Sequence, residues 1–312
     1  MADRPAWRTP PTRANLAWVS AIVGPGARVL SVASLRGGVA QATDAVTVDS
    51  AAGRRHRLVL QRWIRPGWET DDVGFDPAKE AVVLELLAGH EIPVPSLVAV
   101  DPDGSAAGVP CLLTSRLDGG PPTARKVSRP AVLDALGRTL AAIQRVGAAA
   151  FDARPGAQHS LPQYEPFGDL ASATVPSLSR RPKLWTAART AAAARPPRGP
   201  ATFLHRDFHP GNTLWIGDRL SGVVDWTSAS LGPAAADLAH LRVNLVVLVG
   251  PDAADDARAA FLAAGGVAHG GRHHDLRTVF DFLGDAPPGT TVDPALDRLE
   301  AYLTRVLESS DD

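Results

Sequence analysis

Strand-like alternation of apolar and polar residues is concentrated in roughly the first 116 positions, and helical spacing dominates afterwards apart from one short strand and hairpin near residues 201–224. That segregation most narrows the fold, because strands and helices grouped in separate stretches point to an α+β chain. From about Val29 to Trp63 the runs "RVLSVASL", "VAQATDAVTVDS" and "HRLVLQRW" alternate Val, Leu and Thr with small or polar residues. "RGG" and "AAGRR" punctuate them, which predicts a twisted antiparallel meander. Asp76 as N-cap and Pro77 at the first helical position then open a helix to about Leu87. Two more strands are expected near Leu97–Val100 and Cys111–Ser115, joined across a Pro-Asp-Gly turn.

Past the Gly-rich connection "SRLDGGPP", Leu133, Leu136, Leu140 and Ile143 mark one face of a helix between Pro130 and Val146. Residues 151–182 are rich in Pro, Gly and Ser and read as irregular. A short Ala-rich helix is expected at Leu184–Ala194, and a mainly helical pattern runs from about Ala234 onward. The expectation is a two-lobed chain with a cleft between its lobes. Residues 1–27 form an N-terminal extension, 28–116 a β-rich N-lobe with one helix, and 117–312 a mainly helical C-lobe.

Composition removes several classes of function. With a net charge of -1 over 312 residues there is no basic field for nucleic acid. Cys111 is the single cysteine, so a disulfide within the chain and a Cys-based zinc site are both excluded. It reads as a small buried apolar residue. The opening "MADRPAWRTPPTRANLAWVS" has no basic region leading into an apolar core, and no apolar run reaches membrane-spanning length. A soluble, cytoplasmic protein with neither a nucleic-acid nor a membrane partner is expected. Oligomeric state is not encoded in any pattern found.

The chemistry gathers in "FLHRDFHPGNTLWIGDRLSGVVDW", residues 203–226. Pro210-Gly211 makes "HRDFHPGN" a loop after a short strand, with Asp207 and Asn212 five apart on it. "TLWI" and "SGVV", separated by "GDR", form a hairpin that ends at Asp225 and returns it to lie beside Asn212. An amide oxygen and a carboxylate suit a hard cation, magnesium by default. Asp207 is then left to orient and deprotonate a hydroxyl, the division of labour that phosphoryl transfer needs. His205 and His209 have the four-residue spacing of a zinc pair, but Pro210-Gly211 disfavours the helix such a pair requires. A His-metal hydrolase is therefore a minor alternative.

At these residues the chain resembles the aminoglycoside phosphotransferase family, relatives of choline kinases and protein kinases. "HRDFHPGN", "VVDW" and "GPAAADLAHL" occur in the family's order, and the similarity extends over roughly residues 28–250. The resemblance implies a protein-kinase-like fold and a Mg2+-dependent small-molecule kinase that moves the γ-phosphate of ATP (or GTP) to a substrate hydroxyl. It implies Asp207 as base, Asn212 and Asp225 as metal ligands, and Asp237 as a buried brace of the catalytic loop, with His205 supporting that loop. Nucleotide is expected against Thr114, Ser115 and Leu117, with phosphates anchored by a strand cation paired to a helix Glu. Glu80 shares an apolar helix face with Val83, Leu84 and Leu87 and fits the Glu. The strand departs from the pattern, with Gln61 at the expected cation position and Arg62 next to it. Either a bulge turns Arg62 inward, or phosphate anchoring is weak and the chain is a nucleotide-binding pseudokinase. The turn "LRGGVAQA", where the family has its Gly-rich turn, carries Ala40 and Gln41 in place of a small polar residue.

Overall fold

The computed structural model describes residues 8–35, 41–71, 76–147, 161–284 and 293–309. Most of the Gly-rich turn and part of the irregular middle stretch lie outside them. The chain divides into two compact units. The first falls within Met1–Asp118 and Gly222–Ser228, and the second within Gly119–Pro155, Leu161–Ser221 and Ala229–Asp312.

The first unit is built on five antiparallel strands: β1 (Arg28–Ser34), β2 (Ala42–Asp49), β3 (Arg55–Arg62), β4 (Leu97–Asp101) and β5 (Cys111–Ser115). Their order across the sheet is β1-β2-β3-β5-β4. On one face Val46, Val48, Leu58, Leu60, Cys111 and Leu113 pack with Trp18 and Val19. Those two aromatic and apolar residues come from α1 (Arg13–Val23), so the N-terminal extension supplies core. A capping box between Thr12 and Asn15 starts this helix, and Asn15 also donates to the Ala107 carbonyl at 2.8 Å. A short helical turn, α2 (Trp68–Asp71), precedes α3 (Pro77–Leu87). Asp76 caps α3 by accepting the Lys79 N–H at 2.8 Å, and Glu80, Val83, Leu84 and Leu87 are all buried on it.

The second unit holds α4 (Ala124–Val127), α5 (Pro130–Gln144), α6 (Pro182–Ala192), α7 (Ala235–Leu248), α8 (Pro251–Ala263), α9 (Gly271–Gly284) and α10 (Asp293–Glu308). Gly137 allows α5 to lie against α8, because a side chain there would overlap the Ala257 carbonyl and the Phe261 amide. Helix α7 is buried along most of its length. Its Arg242 pairs with Asp255 of α8 at 2.9 Å and with Asp275 of α9, and lies 5.0 Å over the Tyr302 ring of α10. Two small sheets complete the fold: β6 (Ala201–Leu204) with β9 (Ser230–Pro233), and β7 (Thr213–Ile216) with β8 (Arg219–Val223).

Candidate active site

Strand β6 carries the chain into the loop, and His205 follows it fully buried. Arg206 next adopts φ 69°, one of two non-glycine residues in the left-handed region among the described residues. Such a conformation costs roughly 1–2 kcal/mol and persists only if surrounding groups hold it. Asp237, on the first turn of α7, does the holding. One of its oxygens accepts the His205 N–H and the other the Arg206 N–H, both at 2.7 Å. Burial pushes the Asp237 carboxyl up to about 6, and the two backbone donors oppose that rise.

Asp207 is clamped from both sides. His240 Nε2 lies 3.0 Å from its Oδ1, while Asn212 Nδ2 donates to its Oδ2 at 2.8 Å and to its carbonyl at 3.0 Å. His209 Nε2 stands 3.6 Å from the same Oδ1, its Nδ1 accepting the Gly211 N–H at 3.1 Å. Burial alone would raise the Asp207 carboxyl. The His240 hydrogen bond, followed by the charges of His240, His209 and His205, outweighs it and holds the group at about 2. The chemical result is an ionised carboxylate of fixed plane, with its side chain 33% exposed. His240 was not among the residues singled out by sequence. Its signal was the spacing from Asp237, three residues on along one helix and so on the same face.

In the first unit β3 pairs with β2 and β5 without a register shift, Gln61 opposite Thr43 and Leu112, Arg62 opposite Ala42 and Cys111. No bulge turns Arg62 towards Glu80. Arg62 instead occupies the α1 face, buried against Asp44 at 2.7 Å and donating to the Thr9 carbonyl at 2.7 Å. Gln61 faces α3, its amide 3.5 Å from Glu80 Oε2, and Glu80 Oε1 accepts the Trp226 N–H at 3.3 Å. Burial, then the charge of Asp225, push the Glu80 carboxyl up to about 8; the Trp226 N–H, Gln61 and Lys79 pull the other way. Asp225 is the second left-handed residue, at φ 68°, and takes the Thr227 hydroxyl at 2.7 Å. Thr114 is buried on β5 between Val59 and Leu97, Ser115 pairs with Leu58, and Leu117 follows half-buried.

Thus Asp207, Asn212, His205 and Asp237 come together in the second unit. Gln61, Glu80 and the segment bearing Asp225 come together in the first, and Arg62 stands apart from them. Asn212 spends its amide nitrogen on Asp207 and keeps its oxygen as an acceptor, a donor type that suits a hard cation, and in the first unit Asp225 carries a carboxylate of the same hard-oxygen kind. Among the described residues no group of three or more His, Cys, Asp or Glu could hold a metal by itself. No helix among them is long and apolar enough to cross a membrane.

Comparison with known proteins fits this picture. A thermostable mutant of aminoglycoside phosphotransferase APH(4)-Ia, in ternary complex with ADP and hygromycin B, superposes with a TM-score of 0.61 at 17% identity. The match covers 96% of this chain and 100% of that one. Macrolide 2'-phosphotransferase MphH from Brachybacterium faecium gives 0.57 at 18% identity, over 92% and 96% of the two chains. Amicoumacin kinase hAmiN, in complex with AMP-PNP, Ca2+ and Ami, gives 0.55 at 14% identity, over 88% of each. These likenesses give the chain the α+β, protein-kinase-like fold class. No curated protein matches it in sequence. The sequence model of the phosphotransferase enzyme family, APH, matches residues 33–276. The chain is a phosphotransferase and belongs to that family.

Proposed function

We propose that this phosphotransferase moves the γ-phosphate of ATP or GTP to the hydroxyl of a small molecule. Asp207 orients the hydroxyl and takes its proton. The observation that carries the reading is the clamp on Asp207, in which His240 and Asn212 hold opposite oxygens of an ionised carboxylate. Magnesium would be held by the Asn212 amide oxygen and the Asp225 carboxylate, and when bound it neutralises charge on the transferring phosphates. The nucleotide base would lie against Thr114, Ser115 and Leu117, with Gln61 and Glu80 on the phosphate side. A reaction that draws on a nucleoside triphosphate places the protein in the cytoplasm. The N-lobe and C-lobe division at about residues 116–117 goes with this assignment of roles.

Asp207→Asn tests the mechanism. It keeps the size and the Asn212 contact but removes the base, so kcat should fall by about 10²–10⁴-fold while ATP binding by calorimetry stays within about threefold. Full turnover in that variant would remove the mechanism.

Gln61 favours a second reading, a nucleotide-binding pseudokinase with a regulatory role. The residue facing Glu80 is an uncharged amide, whereas phosphate anchoring uses a cation. Measurable magnesium-dependent ATP turnover would exclude it.

A further inference from the structure

Around Asp207 the second unit presents rings. The Phe167 ring centroid lies 6.2 Å from that of His240, and the His209 and His240 rings are 6.0 Å apart. All three keep exposed surface, Phe167 39% and the side chains of His209 and His240 27% and 18%. Phe167 is set in place from both sides. Tyr164 donates its N–H to the Leu231 carbonyl at 2.7 Å, on a path that Gly232 keeps clear, since a side chain there would overlap Tyr164. Gly168 N–H binds Asp281 Oδ1 at 3.1 Å. The Arg206 guanidinium then lies 4.2 Å over the Phe167 ring and donates to the Glu165 carbonyl. An exposed phenyl ring under one guanidinium, with three hydrogen bonds holding the backbone of its neighbours, is a preformed surface.

Its charge is as telling as its shape. The imidazoles of His209 and His240 lie against Asp207, and the Arg206 guanidinium lies over the Phe167 ring. The acids nearby are otherwise engaged: Asp237 is buried on backbone amides, Glu165 is opposed by Arg206, and Asp169 accepts the Ala171 N–H at 2.9 Å. A polycation needs several carboxylates, and among the described residues the Phe167, His209 and His240 side chains bring with them that of Asp207 alone, itself held by His240 and Asn212. An apolar ring face, by contrast, packs against the exposed surfaces of a phenyl ring and its neighbouring imidazoles without losing hydration of charge. We propose that Phe167, His209 and His240 form the acceptor wall beside Asp207, and that it takes an uncharged hydroxyl compound presenting an apolar ring face. This rests on the phosphotransfer reading above.

The test is ADP release from ATP and Mg2+ by the full chain, offered alkyl and aryl β-glucosides in one set and kanamycin-type aminoglycosides in the other. Turnover with the glucosides and none with the aminoglycosides is expected. Phe167→Ala should raise the KM for the best glucoside about tenfold through loss of ring stacking, with KM for ATP unchanged. Phe167→Leu, which keeps bulk without the π face, should fall between. Preferential turnover of aminoglycosides, or an unaltered acceptor KM in Phe167→Ala, overturns the inference. So does silence from both sets while slow ATP hydrolysis persists and is lost in Asp207→Asn, a result that leaves the phosphotransfer reading standing. If the wild type shows no Asp207-dependent hydrolysis either, that reading fails and the inference falls with it.

Discussion

Two carboxylates, one in each unit, have been driven in opposite directions. Asp207 is held at about 2, although burial alone would raise it. Glu80 is pushed up to about 8. Desolvation acts on both, so the partners decide the outcome. Asp207 is met by imidazoles and an amide donor. Glu80 meets a neutral amide from Gln61, one backbone N–H, and the like charge of Asp225, with Lys79 as a weaker opposing influence. The loop that carries Asp207 is thus equipped to keep a charge. The strand and helix expected to anchor phosphate share a neutral pair near pH 7, where Glu80 carries its proton.

The largest test of that contrast is the pH dependence of stability in the metal-free protein. The folded value of Glu80 lies above its ordinary 4.5. Its proton therefore favours the fold, fully below pH 4.5, and that contribution disappears as pH rises to about 8. Wild-type stability relative to Glu80→Gln should fall across that window by up to about 1.4 kcal/mol per pH unit, followed by urea unfolding at several pH values. A flat difference would mean that Glu80 is ionised throughout, and the contrast with Asp207 would collapse.

A middle-sized effect is expected at His240. Replacement by Phe removes the donor to Asp207 and should lower kcat by about 10–100-fold with little change in nucleotide KM. His240→Gln keeps an N–H at a similar reach and should recover most of the rate. Equal losses in the two variants would assign His240 a packing role only.

The smallest change is the most informative about the anchor. Gln61→Lys sets a cation at the position that faces Glu80, so the stability slope between pH 4.5 and 8 should flatten. ATP affinity by calorimetry should rise about threefold to tenfold. No gain in affinity would show that phosphate anchoring in this chain does not depend on position 61.

Much of this arrangement could be read before the fold was known, for definite reasons. Alternation along β3 put Gln61 on the face of Val59 and Arg62 on the opposite one, and the unbroken register keeps them there. Asp76-Pro77 set the start of α3, and helical spacing aligned Glu80 with the apolar residues that bury it. Pairings that depend on tertiary position were out of reach. Asp44 meets Arg62 across two strands, and α1 supplies core that no local pattern ties to the sheet. Phe167 lies within a stretch that reads as irregular, and only the fold sets it beside His240.

Asp237 and His240 sit three residues apart on α7 and touch, respectively, the backbone that leads into Asp207 and its carboxylate. One rigid rod therefore sets both where the Asp207 carboxylate is and which way it faces, as a jig fixes a tool by two pins. A single-residue insertion between 237 and 240 would rotate one pin by about 100° relative to the other, and no change in the loop could restore both.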